Sequence, residues 1–263
     1  MARILSDEEI FGTGDSPKID VQTTTHHGKY DAHSHQFYEI VYVADGFTLH
    51  SCNGQIKMLV AGDLFFVKPG EEHNYINSYQ TKVYNCLFQK EALGFLLDEL
   101  SSLPGLDFMF SDSAGEADDD MRILHADISE RRNIETALEK IAAERKEQKA
   151  GWKTSLRARL ASFLIRYARM YEEQIKVHTQ SGEDYYGYVY RILQYINANY
   201  SREITMADLS AVTGLSPDYM ARKFKASMHM SPSEYVRKFR ISRAMELLCT
   251  TDLSVAEIAH RTG

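Results

Sequence analysis

The feature that most constrains this chain is a change of hydrophobic period about a third of the way along it. Up to Phe88 the apolar residues come in short runs punctuated by Gly, Pro and Asn, and after it they recur at helical spacing. Residues 37–43 are rich in β-branched and aromatic side chains. Turns are expected at Asp45-Gly46, Asn53-Gly54, Gly62-Asp63 and Pro69-Gly70, with a loop around Asn77-Ser78. Between them, residues 48–51, 56–60, 64–67 and 82–88 read as short strands, a pattern that predicts a small antiparallel barrel or sandwich.

The helical part begins with a short helix over 93–100, followed by a Gly-, Ser- and acid-rich stretch, 111–120, that reads as a loop. Two amphipathic helices follow. Over 129–148 the apolar positions are Ile134, Leu138, Ile141 and Ala142; over 154–176 they are Leu156, Leu160, Phe163, Leu164, Tyr167 and Tyr171. Ala150-Gly151-Trp152 separates them, so an antiparallel hairpin is expected, one that either dimerises or packs on the barrel. Residues 178–184 are small and polar and form the best linker candidate. The chain thus divides into a barrel over 1–110, a helical region over 111–184 and a third region over 185–263.

No run approaches the ~18 apolar residues that a bilayer span needs, and the N-terminus lacks the apolar core of a signal peptide. Cys52, Cys86 and Cys249 are odd in number and form no CxxC pair, which points to a reducing, cytoplasmic compartment and away from a disulfide scaffold or structural zinc finger. The net charge of -7 is unevenly spread. From Tyr185 onward ten Lys/Arg face seven Asp/Glu, a net of +3, so the remainder carries 20 against 30, a net of -10. A basic tail on an acidic body suggests that the tail is the part that meets a polyanion.

Within that tail, Thr205 and Asp208 form a capping-box pair, Gly214 ends the helix they start, and Ser216-Pro217 opens the next. A short helix, a glycine-containing turn and a second helix make a helix-turn-helix unit. On the second helix Tyr219, Met220 and Phe224 are expected to point inward and Asp218, Ala221, Arg222 and Lys225 outward. Outward arginine suits guanine, and lysine suits phosphate.

In the first third, His33-x-His35-x3-Glu39 places two imidazoles and a carboxylate at one strand parity, and His73 can return from a neighbouring strand. Such a set suits a divalent transition metal (Zn, Ni, Mn or Fe) with open positions. The same groups equally suit direct hydrogen bonding to a polyol. Phe37, Tyr42 and Tyr75 are candidates to stack on a sugar ring, although core packing suits them too. His26-His27 and His50 have no partner spacing to support a role.

The run Ala207-x-Leu209-x4-Gly214-x-Ser216-x2-Tyr219-Met220-x-Arg222-x-Phe224-Lys225, then Met230-Ser231-Pro232-x2-Tyr235, resembles the AraC/XylS family of transcription regulators. Val236-Arg237-x2-Arg240-Ile241-x2-Ala244-x2-Leu247-Leu248 resembles that family's connecting helix, and residues 253–259 the start of its second helix-turn-helix unit. By similarity Asp218, Ala221 and Arg222 occupy base-reading positions, with Ser216 and Lys225 beside them. The family continues beyond a glycine such as Gly263 with a second recognition helix, so the chain as written is expected to bind DNA weakly. The His33, His35, Glu39 and His73 set, with Gly62-Asp63 and Pro69-Gly70, resembles the cupin signature and the sensor half of sugar-responsive members.

The resemblance implies a dimeric, non-membrane regulator of carbohydrate uptake or catabolism. A sugar-like effector would be sensed in a cupin or jelly-roll barrel by His33, His35, Glu39, Tyr42, His73 and Tyr75, and DNA would be read by the C-terminal helices. The fold expected is α+β in two domains. The alternative is a metal-dependent cupin enzyme, an oxygenase or isomerase, with a helical appendage.

Overall fold

The computed structural model describes residues 3–111, 123–181, 187–228 and 230–263. The chain separates into two compact units, Met1–Gln180 and Ser181–Gly263. Two stretches singled out above fall partly outside the described residues: positions 112–120 of the acidic stretch and 182–184 of the linker candidate.

The first unit is an antiparallel barrel flanked by helices. After β1 (Arg3–Leu5) and α1 (Asp7–Phe11) come β2 (Ile19–His35), β3 (Tyr38–Cys52), β4 (Gln55–Val60), β5 (Asp63–Val67) and β6 (His73–Phe88), and later β7 (Ile123–His125). The sheet order is β1-β2-β6-β3-β5-β7, with β4 paired to β3; every pairing is antiparallel except β1 with β2. The Asn53-Gly54 hairpin turn is present, since Cys52 pairs with Gln55 across it.

Two expected breaks are not breaks. Asp45-Gly46 lies inside β3 and Asn77-Ser78 inside β6. The two strands pair with each other from Tyr38↔Phe88 to Cys52↔His73, and register shifts between Val43, Asp45 and Phe47 absorb the turn-like residues as bulges. Long-range pairing thus overrides local turn propensity.

Strand alternation separates two apolar faces. Tyr38, Ile40 and Tyr42 of β3, with Tyr84, Cys86 and Phe88 of β6, meet the helices. Val41, Val43, Leu59, Phe65, Val67 and Val83 cluster on the other side of the sheet, inside the barrel. The 3-10 helix Lys90–Leu96, α2 (Leu97–Ser101) and α3 (Leu106–Phe110) follow β6, and α4 (Ile128–Glu147) and α5 (Trp152–Ser181) form the hairpin. Its apolar stripe is spent on the barrel: Ile134, Leu138, Ile141, Leu156, Leu160 and Leu164 are all fully buried there. Each such side chain contributes about 1.5–3 kcal/mol of transfer free energy.

The second unit contains α6 (Gly187–Asn199), α7 (Met206–Thr213), α8 (Pro217–Met228), α9 (Pro232–Thr250) and α10 (Val255–Thr262). The capping box at Thr205 and Asp208 forms as expected, with Thr205 Oγ1 accepting from the Asp208 amide and the Asp208 carboxylate accepting from the Thr205 amide. Leu209, Met220, Phe224, Tyr235 and Phe239 are buried in this unit. No helix among the described residues is long and apolar enough to cross a membrane.

Candidate functional site

The inner face of the barrel carries a buried polar cluster. His35 ends β2, Glu39 lies near the start of β3, and His73 begins β6; one ligand-type atom from each lies within 4.8 Å of the others. His35 Nε2 is 3.1 Å and His73 Nε2 3.5 Å from the same Glu39 Oε2, and all three side chains are 6% exposed or less.

The protons do not fit this arrangement comfortably. His35 Nδ1 is 2.6 Å from the Phe37 carbonyl oxygen, which can only accept, so Nδ1 carries the proton. In the neutral ring Nε2 is then a bare lone pair aimed at a carboxylate. Both Nε2 atoms are buried without a hydrogen-bond partner, and only a shared proton or a cation relieves such a contact. The donor set therefore fits a divalent transition ion: two imidazoles, one carboxylate, and a carbonyl that orients His35 from behind.

Burial dominates the electrostatics. It would raise Glu39, but the His35 imidazole against its carboxylate and the influence of His73, His35 and His33 reverse that and bring its pKa to about 2. Burial lowers His73 to about 4 and His50 to about 3, against the pull of Glu39 in both cases. Glu39 is thus ionised, and His50 is neutral near pH 7.

Not every expected residue joins the cluster. His33 lies at its edge: its ring is 4.3 Å from that of His73, but its Nδ1 turns to the Asp31 carbonyl at 3.2 Å, and it is outside the three-residue donor group. Tyr42 is not part of the cluster. Its parity on β3 is opposite to that of Glu39, and its hydroxyl donates to Glu135 of α4 at 3.2 Å, in the core between barrel and helices. Tyr75 is present on the inner side, buried and 5.3 Å from His50.

His50 was missed. Its Nε2 is 3.2 Å from His73 Nδ1, and it is 4% exposed. Spacing along the chain gave no signal, because a register shift between Leu49 and His50 sets its direction.

In the second unit, Asp218, Arg222 and Lys225 of α8 are exposed and Ala221 is half-buried, while Met220 and Phe224 hold the helix to the core. Ser216 is exposed just before the helix. Tyr219 departs from expectation: it is 42% exposed instead of inward-facing. It stands one position before Met220, on the flank of the helix, with the Arg222 guanidinium 6.0 Å and the Lys223 ammonium 5.1 Å from its ring centroid.

A barrel with a buried polar cluster, in one chain with a helix-turn-helix unit that presents an arginine and a lysine, defines a ligand-responsive transcription regulator. The chain belongs to the AraC family: the AraC-like ligand binding domain matches residues 17–150 and a helix-turn-helix domain matches residues 209–263. It is 26% identical over 262 residues to the HTH-type transcriptional activator RhaR of Mannheimia succiniciproducens, covering 98% of this chain and 87% of that protein. It is 24% identical over 261 residues to the activator RhaS of Enterobacter sp. strain 638, covering 99% and 88% respectively. Among solved structures, an apo ToxT variant from Vibrio cholerae strain SCE256 aligns with a TM-score of 0.37 at 11% identity, covering 84% of this chain and 97% of that one. The chain is a regulator and not a cupin enzyme.

Proposed function

We propose that this protein activates a carbohydrate uptake or catabolism operon, sensing a small sugar-like effector in the barrel and reading an operator with α8. The observation that carries the reading is the buried His35, Glu39 and His73 cluster, which lies inside the region matched as a ligand-binding domain. Buried, imperfectly satisfied polar groups cost stability, and a binding site is the usual reason to retain them. The names of the relatives RhaR and RhaS as transcriptional activators support the sign of regulation.

A divalent transition metal (Zn, Ni, Mn or Fe) fits the cluster, held by His35, Glu39 and His73 with His33 at the margin. Bound there, such an ion would supply Lewis acidity toward the hydroxyls of an effector. Glu39 carries the balancing charge, and Phe37 fixes the His35 tautomer. For DNA, Arg222 and Asp218 are the base-reading side chains, Ala221 permits close approach, and Ser216 and Lys225 contact phosphates. The protein acts as a homodimer, and effector control requires that the effector bind one domain arrangement better than another.

The test is selection of bound sequences from random duplexes by a chain that carries both helix-turn-helix units, repeated with neutral monosaccharides present. Recovery of one motif, with occupancy changed by a sugar, supports the reading. Recovery of no motif, or of a motif whose occupancy no small molecule alters, refutes it.

A further inference from the structure

The last described strand of the sheet, β7, pairs with β5 on one side. Ala126, just after it, donates its amide to the Gly62 carbonyl at 2.8 Å, and hydrogen-bonded positions alternate along an antiparallel pair. Leu124 therefore shares its ladder with β5, while the Ile123 carbonyl and the His125 amide turn to the opposite edge. The Gln174 side chain of α5 meets both: its Nε2 donates to the Ile123 carbonyl at 3.0 Å, and its Oε1 accepts from the His125 amide at 3.4 Å. One carboxamide thus makes the donor and acceptor contacts that a neighbouring strand would make. The strand it grips is itself fixed, by the His125 imidazole between Asp63 and Arg131.

The place of Gln174 on α5 gives these bonds weight. Leu156, Leu160, Phe163, Leu164, Tyr167 and Ala168 are buried, but no side chain described beyond Ala168 is. The helix nevertheless runs on to Ser181, the first residue of the second compact unit. Over these turns Tyr171 packs on the start of α3, where a Cβ on Gly105 would lie 2.6 Å from its ring, and Gln174 holds the helix three residues further on.

We propose that Gln174 is a positioning residue for effector control: its carboxamide clasps the last turns of α5 to the edge of β7, and opening the clasp frees those turns while the core stays folded. Segments with few buried apolar contacts are the ones that open at low cost. Here such a segment carries the chain out of the first unit, so its docking sets the length and freedom of the tether to the DNA-binding unit. Two hydrogen bonds are a weak hold beside the buried side chains that precede them. An effector that favours one state over the other therefore moves the clasp. This rests on the reading of the protein as an effector-controlled regulator and needs no particular effector.

The experiment is hydrogen–deuterium exchange on the full chain. Wild type is compared with Gln174→Leu, which removes both bonds, and Gln174→Glu, which keeps the size but sets a carboxylate against the Ile123 carbonyl. Expected in both variants is exchange ~10-fold or more faster in the amides of 171–176, with 156–168 and the barrel strands β2 to β6 as in wild type. Unchanged exchange of 171–176 in both variants overturns the clasp. Faster exchange spread over 156–168 and those strands makes Gln174 a structural residue of the core and overturns the positioning role. A second arm reads transcription from the selected operator with a chain that carries both helix-turn-helix units, with and without neutral monosaccharides. Both variants should change the sugar-free output ~5-fold or more at equal protein level. Equal output and an equal sugar response in wild type and both variants overturn control by the clasp and leave the effector reading standing. No sugar response in wild type refutes that reading and the clasp's role with it.

Discussion

His35 gives its Nδ1 proton to the Phe37 carbonyl at 2.6 Å and turns its Nε2 on Glu39 Oε2, 3.1 Å away. His73 brings a second Nε2 to the same oxygen at 3.5 Å. Three ligand-type atoms converge in a buried space, and the tautomer of His35 is set by a carbonyl that cannot donate. The geometry is thus poised for a positive charge at one point, whether proton or metal ion.

Elemental analysis of protein purified without a metal-affinity tag should therefore find about one equivalent of a divalent transition metal. His35→Ala, His73→Ala and Glu39→Gln each remove a donor and should abolish retention. His33→Ala should leave most of it, since the His33 Nδ1 faces Asp31. Metal-free wild type would rule out the ion and leave the direct polyol site; loss in His33→Ala as complete as in His35→Ala would contradict the ligand assignment.

Acid should destabilise the metal-stripped barrel earlier than carboxylate titration alone would. The folded state holds His50 at about 3 and His73 at about 4, while unfolded histidine titrates near 6.5. Below that value the unfolded chain takes protons that the folded chain refuses, so stability falls as pH drops from 6.5 toward 4. The slope is up to about 1.4 kcal/mol per pH unit for each histidine. Glu39, lowered to about 2, adds in the same direction below 4.5. His50→Gln should make the melting temperature less steep in pH across 6.5 to 4; a slope parallel to wild type would show that His50 is not a buried neutral base.

A second polar chain pins the barrel edge to the hairpin. Arg131 Nη2 donates to His125 Nε2 at 3.1 Å, and His125 Nδ1 donates to Asp63 Oδ1 at 2.6 Å, tying β5, β7 and α4 together. Asp63 Oδ2 also accepts the Val60 amide. Asp63→Ala strips these groups of a buried partner and should cost about 2–4 kcal/mol by denaturant unfolding. Gly62→Ala should also destabilise, by about 1–3 kcal/mol. Gly62 has φ +102°, and a Cβ there would lie 2.6 Å from the buried Arg131 guanidinium. Wild-type stability in both variants would remove the clamp from the account.

Much of this was legible in the chain. Short β-branched and aromatic runs between turn residues marked the strands around Glu39 and Phe65, and helical spacing gave Leu156, Leu160 and Leu164 a common buried face. Caps placed the start of α7 where Thr205 and Asp208 indicated. What was illegible depends on register. Tyr42 was assigned to the ligand by residue type, although its parity opposed that of Glu39. His50 reaches the cluster only through a register shift, and such a shift is a property of two paired strands, written in neither alone. Likewise the polar chain links Asp63 to His125 and Arg131, 62 and 68 positions further on, and no local pattern connects them. Tyr219 was read inward from its aromaticity, whereas Met220 and Phe224 already fill the space behind α8.

The DNA-reading face permits a sharper test than affinity alone. Arg222 and Lys225 are both exposed on α8, three residues apart, but their proposed tasks differ. A guanidinium paired to a guanine edge carries sequence information, whereas an ammonium beside a phosphate carries only charge. In a chain that carries both helix-turn-helix units, Arg222→Ala should lower operator affinity by about 1–3 kcal/mol and relax selectivity at one base pair. Lys225→Ala should weaken operator and unrelated duplexes alike, and reduce the magnitude of the slope of log K against log salt by ~0.9. Tyr219→Ala should fall between the two, because Tyr219 orients the cations beside it and Arg222 is one of them. Binding to a randomised operator series at several salt concentrations separates the three. Equal loss on specific and unrelated duplexes in Arg222→Ala would reassign it to the phosphates; an unchanged salt slope in Lys225→Ala would place Lys225 off the DNA.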